Sequence, residues 1–209
     1  MKINLERLKL KLKRVGIIGE GIDLKSYAVT IPLVKDNDWQ IIFQVRSKNL
    51  SQAGEVSLPG GKVEKGEKIE EAAIRETCEE LLLDASNIEV LGQSDILVTQ
   101  YGKIIYPFVV KILDKNKVRY SRYEVEKIFF VPVKFFIENE PKIMKIKVKT
   151  EPLGEFPYDL KISSKDYNWQ EGMLNVYFYK YNDYVIWGLT AKIIYNFIQK
   201  IKDLRSENE

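Results

Sequence analysis

The stretch LPGGKVEKGEKIEEAAIRETCEELLLD, residues 58–84, constrains the fold of this chain more than any other. A proline and two glycines form a rigid entry almost free of side chains, and a helical pattern begins near Glu67. Over about residues 67–83, Ile69, Ala73, Thr77 and Leu81 recur every four residues as one stripe. Ala72, Glu76, Glu79, Glu80 and Leu83 lie around another face. Glutamates spaced i, i+3 and i+4 repel one another by roughly a few tenths of a kcal/mol per exposed pair. On the residues alone two readings stand. A solvated acidic helix balanced by Lys65, Lys68 and Arg75 needs no ligand. Alternatively, the carboxylates converge on a divalent cation, with the glycine loop bringing backbone close to a phosphate bound to it.

The absence of histidine narrows the chemistry. With His 0 and Cys 1, a His-Cys zinc site, an HExxH protease, a Ser-His-Asp triad and a histidine general base are all excluded. Acid–base work falls to carboxylates, lysine or tyrosine, and a bound metal should be a hard, oxygen-ligated ion. Cys78 alone cannot form an intrachain disulfide, which points to a reducing compartment. Charges interrupt every apolar run of MKINLERLKLKLKRVG, so it does not read as a signal peptide; Leu5, Leu8 and Leu12 favour a helix there. No run has the length to span a membrane, so a cytoplasmic location and no membrane partner are expected. A formal net charge of +3 is too mild for a nucleic-acid footprint.

Alternation and turn residues give the rest of the order. AVTIPLV (28–34) and WQIIFQV (39–45) read as strands joined at KDND, and 93–99 and 104–113 read as a second pair across QYGK. IFFVP (128–132) reads as a strand, VKFFIEN (133–139) as a short helix, and 141–171 as mixed, punctuated by Pro141, Pro152 and Pro157. NVYFYKY (175–181) returns to a strand. Leu189, Ile193, Phe197 and Ile201 then mark a long C-terminal helix, and the RSENE tail reads as frayed. This order predicts a mixed sheet covered by helices.

Gly61, five residues, Glu67, seven residues, Arg75-Glu76, two residues, Glu79-Glu80: this register resembles the signature of the Nudix hydrolases. The resemblance implies an α+β fold with a mixed β-sheet sandwiched between helices, here with an additional C-terminal helix. It also implies a single domain over residues 1–209, with a flap or insertion at 140–172. It implies that Glu76, Glu79 and Glu80 hold Mg²⁺ or Mn²⁺, that Arg75 pairs with a carboxylate and orients the helix, and that Glu67 supports it from the loop. Thr77 stands at a usually aliphatic position, and Leu82 replaces the final glycine of the signature. The second change predicts that the helix runs on or that its exit loop differs.

VRSKNLSQAGEVSLPGG, residues 45–61, is similar to the extended motif of the coenzyme A pyrophosphatase branch, with Gln52 where a histidine usually stands. IIYPFVV (104–110), EVEKIFFVP (124–132) and VIWGLTAKII (185–194) extend the likeness over roughly residues 28–198. It implies hydrolysis of coenzyme A or its derivatives, with Arg46, Gly60, Gly61 and Gln52 at the substrate and a homodimer as the open expectation for assembly. Glu79 is the candidate base. Glu124 and Glu126, alternating on a strand edge, are candidates for an extra ligand or base, though a solvated edge is an equal reading. Trp187 reads as a core tryptophan pinning the last helix ahead of a base-stacking one. Lys142, Lys145, Lys147 and Lys149 read as a solvated face ahead of a contact to the 3′-phosphate of coenzyme A. The rival readings are the same chemistry on ADP-ribose, NADH or dinucleoside polyphosphates, and a nucleotide-binding module without turnover.

Overall fold

The computed structural model describes residues 24–152 and 169–206. The helix read around Leu5, Leu8 and Leu12, Pro157, and the end of the RSENE tail lie outside these. Strand β1 (Lys25–Lys35) turns into β2 (Trp39–Arg46) as expected, antiparallel with Leu33 opposite Ile41. β3 (Val56–Ser57) and β4 (Gly60–Lys62) are short, and α1 (Ile69–Leu81) follows. Then come β5 (Ile88–Gln93), β6 (Leu97–Val98), β7 (Lys103–Ile112), β8 (Val125–Pro132) and α2 (Val133–Glu138). The chain closes with β9 (Lys142–Lys149), β10 (Glu171–Tyr181), β11 (Tyr184–Trp187) and α3 (Gly188–Ser206).

The main sheet runs β3-β2-β1-β7-β5, with β4 on β1, β6 on β7 and β8 on β2. β1 and β7 are parallel from Lys25↔Lys103 to Val34↔Ile112, whereas the other pairings are antiparallel, so the sheet is mixed. Side-chain alternation splits the core into two layers. On β2, Ile41, Phe43 and Val45 join Ile193, Ile194, Phe197 and Ile198 of α3. Ile42, from the same strand, joins Ala72, Ala73 and Leu81 of α1. The sheet is thus sandwiched between helices. Burying each large apolar side chain of this set contributes about 1.5–3 kcal/mol.

Several elements differ from the sequence reading. The antiparallel partner of β7 is chiefly β5, because residues 93–99 contribute only Gln93, at the end of β5, and the two residues of β6. Residues 142–149 form a strand, not a mixed segment; it pairs with β10, and β10 with β11, as a second sheet of three strands. VIW of 185–187 ends β11 before the helix begins at Gly188. Trp187 is 40% exposed and stacks on Phe178, while the neighbouring Ile186 is the buried residue, so Trp187 is not a core tryptophan. α1 does not run on. Leu82 itself adopts φ 48°, ψ 48°, and Leu83 N–H donates to Cys78 O at 3.1 Å. A left-handed leucine costs about 1–2 kcal/mol, offset by burial of Leu83 against the α1 core layer. No helix among the described residues is long and apolar enough to cross a membrane.

Candidate active site

The Pro-Gly-Gly entry is fixed from both sides. Thr30 N–H donates to Pro59 O at 2.8 Å, and β4 pairs with β1 so that Val29 faces Gly60 and Ala28 faces Gly61. Gly60 has φ 150°, and a Cβ there would run into Ala28 O and Val29. A Cβ on Gly61 would fall onto the Glu76 carboxylate. The glycines let this loop press against α1 where any side chain would hold it away.

α1 carries its three glutamates within about 100° of its circumference, graded from core to solvent. Successive residues turn by about 100°: Glu80 is buried, Glu76 half-buried and Glu79 exposed. Gly60 N–H donates to Glu80 Oε2 at 2.8 Å. Burial pushes the Glu80 carboxyl up to about 7; the Gly60 amide and Gln44 oppose that shift, while Glu76 and Glu124 reinforce it. Glu76 is also raised, chiefly by burial, against the pull of Arg75 and with added repulsion from Glu79 and Glu124.

Arg75 gathers the carboxylates around it. Its Nε and Nη2 donate to the two oxygens of Glu67 at 2.8 and 3.2 Å. Its Nη1 donates to Glu76 Oε1 at 2.9 Å and Glu79 Oε2 at 3.2 Å. Glu67 also accepts the Glu64 N–H at 3.0 Å. The hydrogen bond from Arg75, then that backbone amide, hold the Glu67 carboxyl below the usual range, and Glu67 in turn pushes the guanidinium higher. The fork of Arg75 ties the loop at 64–67 to the helix.

Glu124 joins this cluster. Its charge acts on both Glu76 and Glu80, and its carbonyl accepts the Ser47 N–H at 2.9 Å. Glu126 does not share that face. Arg46 pairs with Val125 and Val45 with Lys127, so Glu126 is the extra residue of a bulge and lines a separate cavity with Lys48 and Arg122. Arg46 is half-buried and its Nε donates to Ser51 O at 3.0 Å, closing the 46–55 turn beside β2. Gln52 is exposed on that turn at φ 59°. The Lys142–Lys149 strip lies on β9 of the second sheet, where Lys147 pairs with Glu171.

Sequence reasoning missed Gln44 and the meaning of Thr77. Gln44 is buried beside Glu80, and its Oε1 has no hydrogen-bond partner. Its signal was a polar residue inside the apolar run WQIIFQV. Thr77 is buried, with Oγ1 2.8 Å from Thr30 Oγ1 and donating to Ala73 O at 2.7 Å. This hydroxyl pair fastens α1 to β1.

The donor set suits a hard divalent ion. It consists of oxygen alone, mutually repelling carboxylates press around Glu76 and Glu80, and the orphaned Gln44 oxygen lies beside them. Among the described residues no three carboxylates close on one point, since Arg75 holds Glu76 and Glu79 to itself.

The family description NUDIX domain matches residues 24–147. The chain is 31% identical over 180 residues to "Nudix hydrolase 15, mitochondrial" of Arabidopsis thaliana, covering 81% of this chain and 56% of that protein. It is 30% identical over 177 residues to "Uncharacterized Nudix hydrolase NudL" of Photorhabdus laumondii, covering 84% of each. The chain spans about half the length of the first plant relatives it matches, 56% and 53%. Among solved structures, a C. elegans Ap4A hydrolase binary complex aligns with TM-score 0.46 at 20% identity, over 52% of this chain and 80% of that one.

Proposed function

The chain belongs to the Nudix family, and from that premise we propose that it hydrolyses the pyrophosphate bond of coenzyme A or its derivatives. The products would be 3′,5′-ADP and 4′-phosphopantetheine or its acyl form. One observation carries the chemistry. The glycine loop is locked onto the acidic helix, Gly60 through its amide to Glu80 and Gly61 by contact with Glu76, with Glu124 beside both. The substrate assignment rests on the coenzyme A-like segment at 45–61, whose 46–55 turn is tied to Glu124 through Ser47.

Glu76, Glu79 and Glu80 would hold Mg²⁺ or Mn²⁺. When bound, the ion supplies Lewis-acid chemistry, offsetting charge on the diphosphate oxygens and acidifying water. The chain's own groups do the rest. Arg75, anchored on Glu67, fixes the rotamers of Glu76 and Glu79. Gly60 and Gly61 hold the loop against β1 and the Glu76 carboxylate, and Arg46 meets a phosphate oxygen with its guanidinium. Proton removal falls to a carboxylate; Glu79, the most exposed of the three, is the candidate, and Glu124 stands second.

The test is a mass-spectrometric product assay. Coenzyme A, ADP-ribose, NADH and diadenosine polyphosphates are offered separately with Mg²⁺ or Mn²⁺, with Glu79→Gln as the control. Appearance of 3′,5′-ADP and 4′-phosphopantetheine, lost in the variant, supports the proposal. Turnover of another substrate alone would keep the chemistry and overturn the substrate. Silence across the panel would favour a binding module.

A further inference from the structure

Two loops meet at the C-terminal end of α1. Ser121 N–H donates to Glu80 O at 2.9 Å and Arg119 N–H to Leu81 O at 3.1 Å, satisfying carbonyls the helix leaves open. The 46–49 segment is then fastened to the 121–124 turn. Ser47 N–H donates to Glu124 O at 2.9 Å, and Asn49 Nδ2 to Tyr123 O at 3.1 Å. These bonds frame a cavity of about 440 Å³ lined by Ser47, Lys48, Asn49, Tyr120, Arg122 and Glu126. Two cations face one carboxylate, so the lining carries excess positive charge. Among the described residues neither Lys48 nor Arg122 is held in an ion pair. Glu124, which joins the catalytic carboxylates, directly precedes the cavity residue Val125.

We propose that this cavity receives a terminal phosphate monoester of the substrate and so sets a preference for coenzyme A over its dephosphorylated form. The proposal rests on the coenzyme A reading above. A diphosphate belongs at the glutamates, where a cation offsets the like charges. A dianionic monoester belongs where side-chain cations already face it. The Arg122 fork matches two phosphate oxygens, Lys48 adds a point charge, and the Tyr120 and Ser47 hydroxyls complete a polar lining. Backbone bonds tie the rim of the cavity to the hydrolytic cluster, Ser121 N–H to Glu80 O and Ser47 N–H to Glu124 O, whereas the lysine strip of β9 stands on the second sheet.

The probes are adenosine 3′,5′-bisphosphate and AMP, titrated calorimetrically into the wild type, a Lys48→Ala/Arg122→Ala variant and a Lys48→Arg/Arg122→Lys variant. Both side chains are exposed, so the substitutions spare the core. The wild type should prefer the bisphosphate by about tenfold to a hundredfold, the range of charge-assisted hydrogen bonds. That ratio should fall toward one in the alanine variant and largely survive in the charge-conserving one. The kcat/KM ratio of coenzyme A over dephospho-coenzyme A should follow. No preference in the wild type, or a preference that survives both alanines, would overturn the cavity assignment. Failure to hydrolyse either cofactor would overturn the coenzyme A reading instead, while the calorimetric ratio still decides the cavity.

Discussion

α1 and α3 cover opposite faces of one sheet and solve the same packing problem differently. α3 buries Ala191, Ile193, Ile194, Phe197 and Ile198, an apolar stripe. α1 buries Ala72, Ala73 and Leu81, but also Thr77 and Glu80. A buried polar group is unfavourable unless bonded, and each of these is: Thr77 to Thr30 and Ala73, Glu80 to the Gly60 amide. An apolar residue at 80 would pack the same face without desolvating a carboxylate. Stability accounts for α3. It does not account for Glu80, and the excess polarity of α1 marks where the chemistry is.

Substitutions break this contrast in order of size. Phe197→Ala should destabilise the fold by about 3–5 kcal/mol, read from urea denaturation, while turnover per folded molecule persists. Lost turnover in a folded variant would make α3 part of the site. Glu76→Gln should do the reverse, lowering kcat/KM by about a hundredfold to a thousandfold, the scale of one preorganised electrostatic contact. Its unfolding free energy from urea denaturation should change by no more than about 1 kcal/mol. Gly61→Ala sharpens the comparison, because its Cβ would displace the Glu76 carboxylate. Turnover should fall roughly tenfold to a hundredfold, as misplacing a catalytic group by about 1 Å does. Leu82→Gly should have the smallest effect, a stabilisation of up to about 1 kcal/mol from relieving a left-handed leucine that is 55% exposed. A thermal melt checks it, and an unchanged or lower melting temperature would show that the exit is not strained.

Much of this was legible in the residues. Period-two runs located β1, β2, β7 and β8, and four-residue spacing located α1 and α3, because each buries a continuous face. β9 escaped although Lys145–Lys149 alternates, because its lysines read as a solvated strip and the strand is exposed along nearly its whole length. β11 escaped because four residues before a helix carry too little pattern. The glutamates were legible as a set, but their gradient from buried Glu80 to exposed Glu79 depends on which strand covers the helix. The separation of Glu124 from Glu126 depends on a bulge that spacing alone does not reveal. Gln44 was unread because its partner, Glu80, lies 36 positions away in the chain.

The most direct measurement is Mn²⁺ binding by electron paramagnetic resonance, run beside coenzyme A turnover, on the wild type and on Glu76→Gln/Glu80→Gln. Tight Mn²⁺ binding and turnover should disappear together from a folded double variant. A folded double variant that keeps wild-type Mn²⁺ affinity, or hydrolyses at the wild-type rate, would contradict the assignment of the cation and the chemistry to this face of α1.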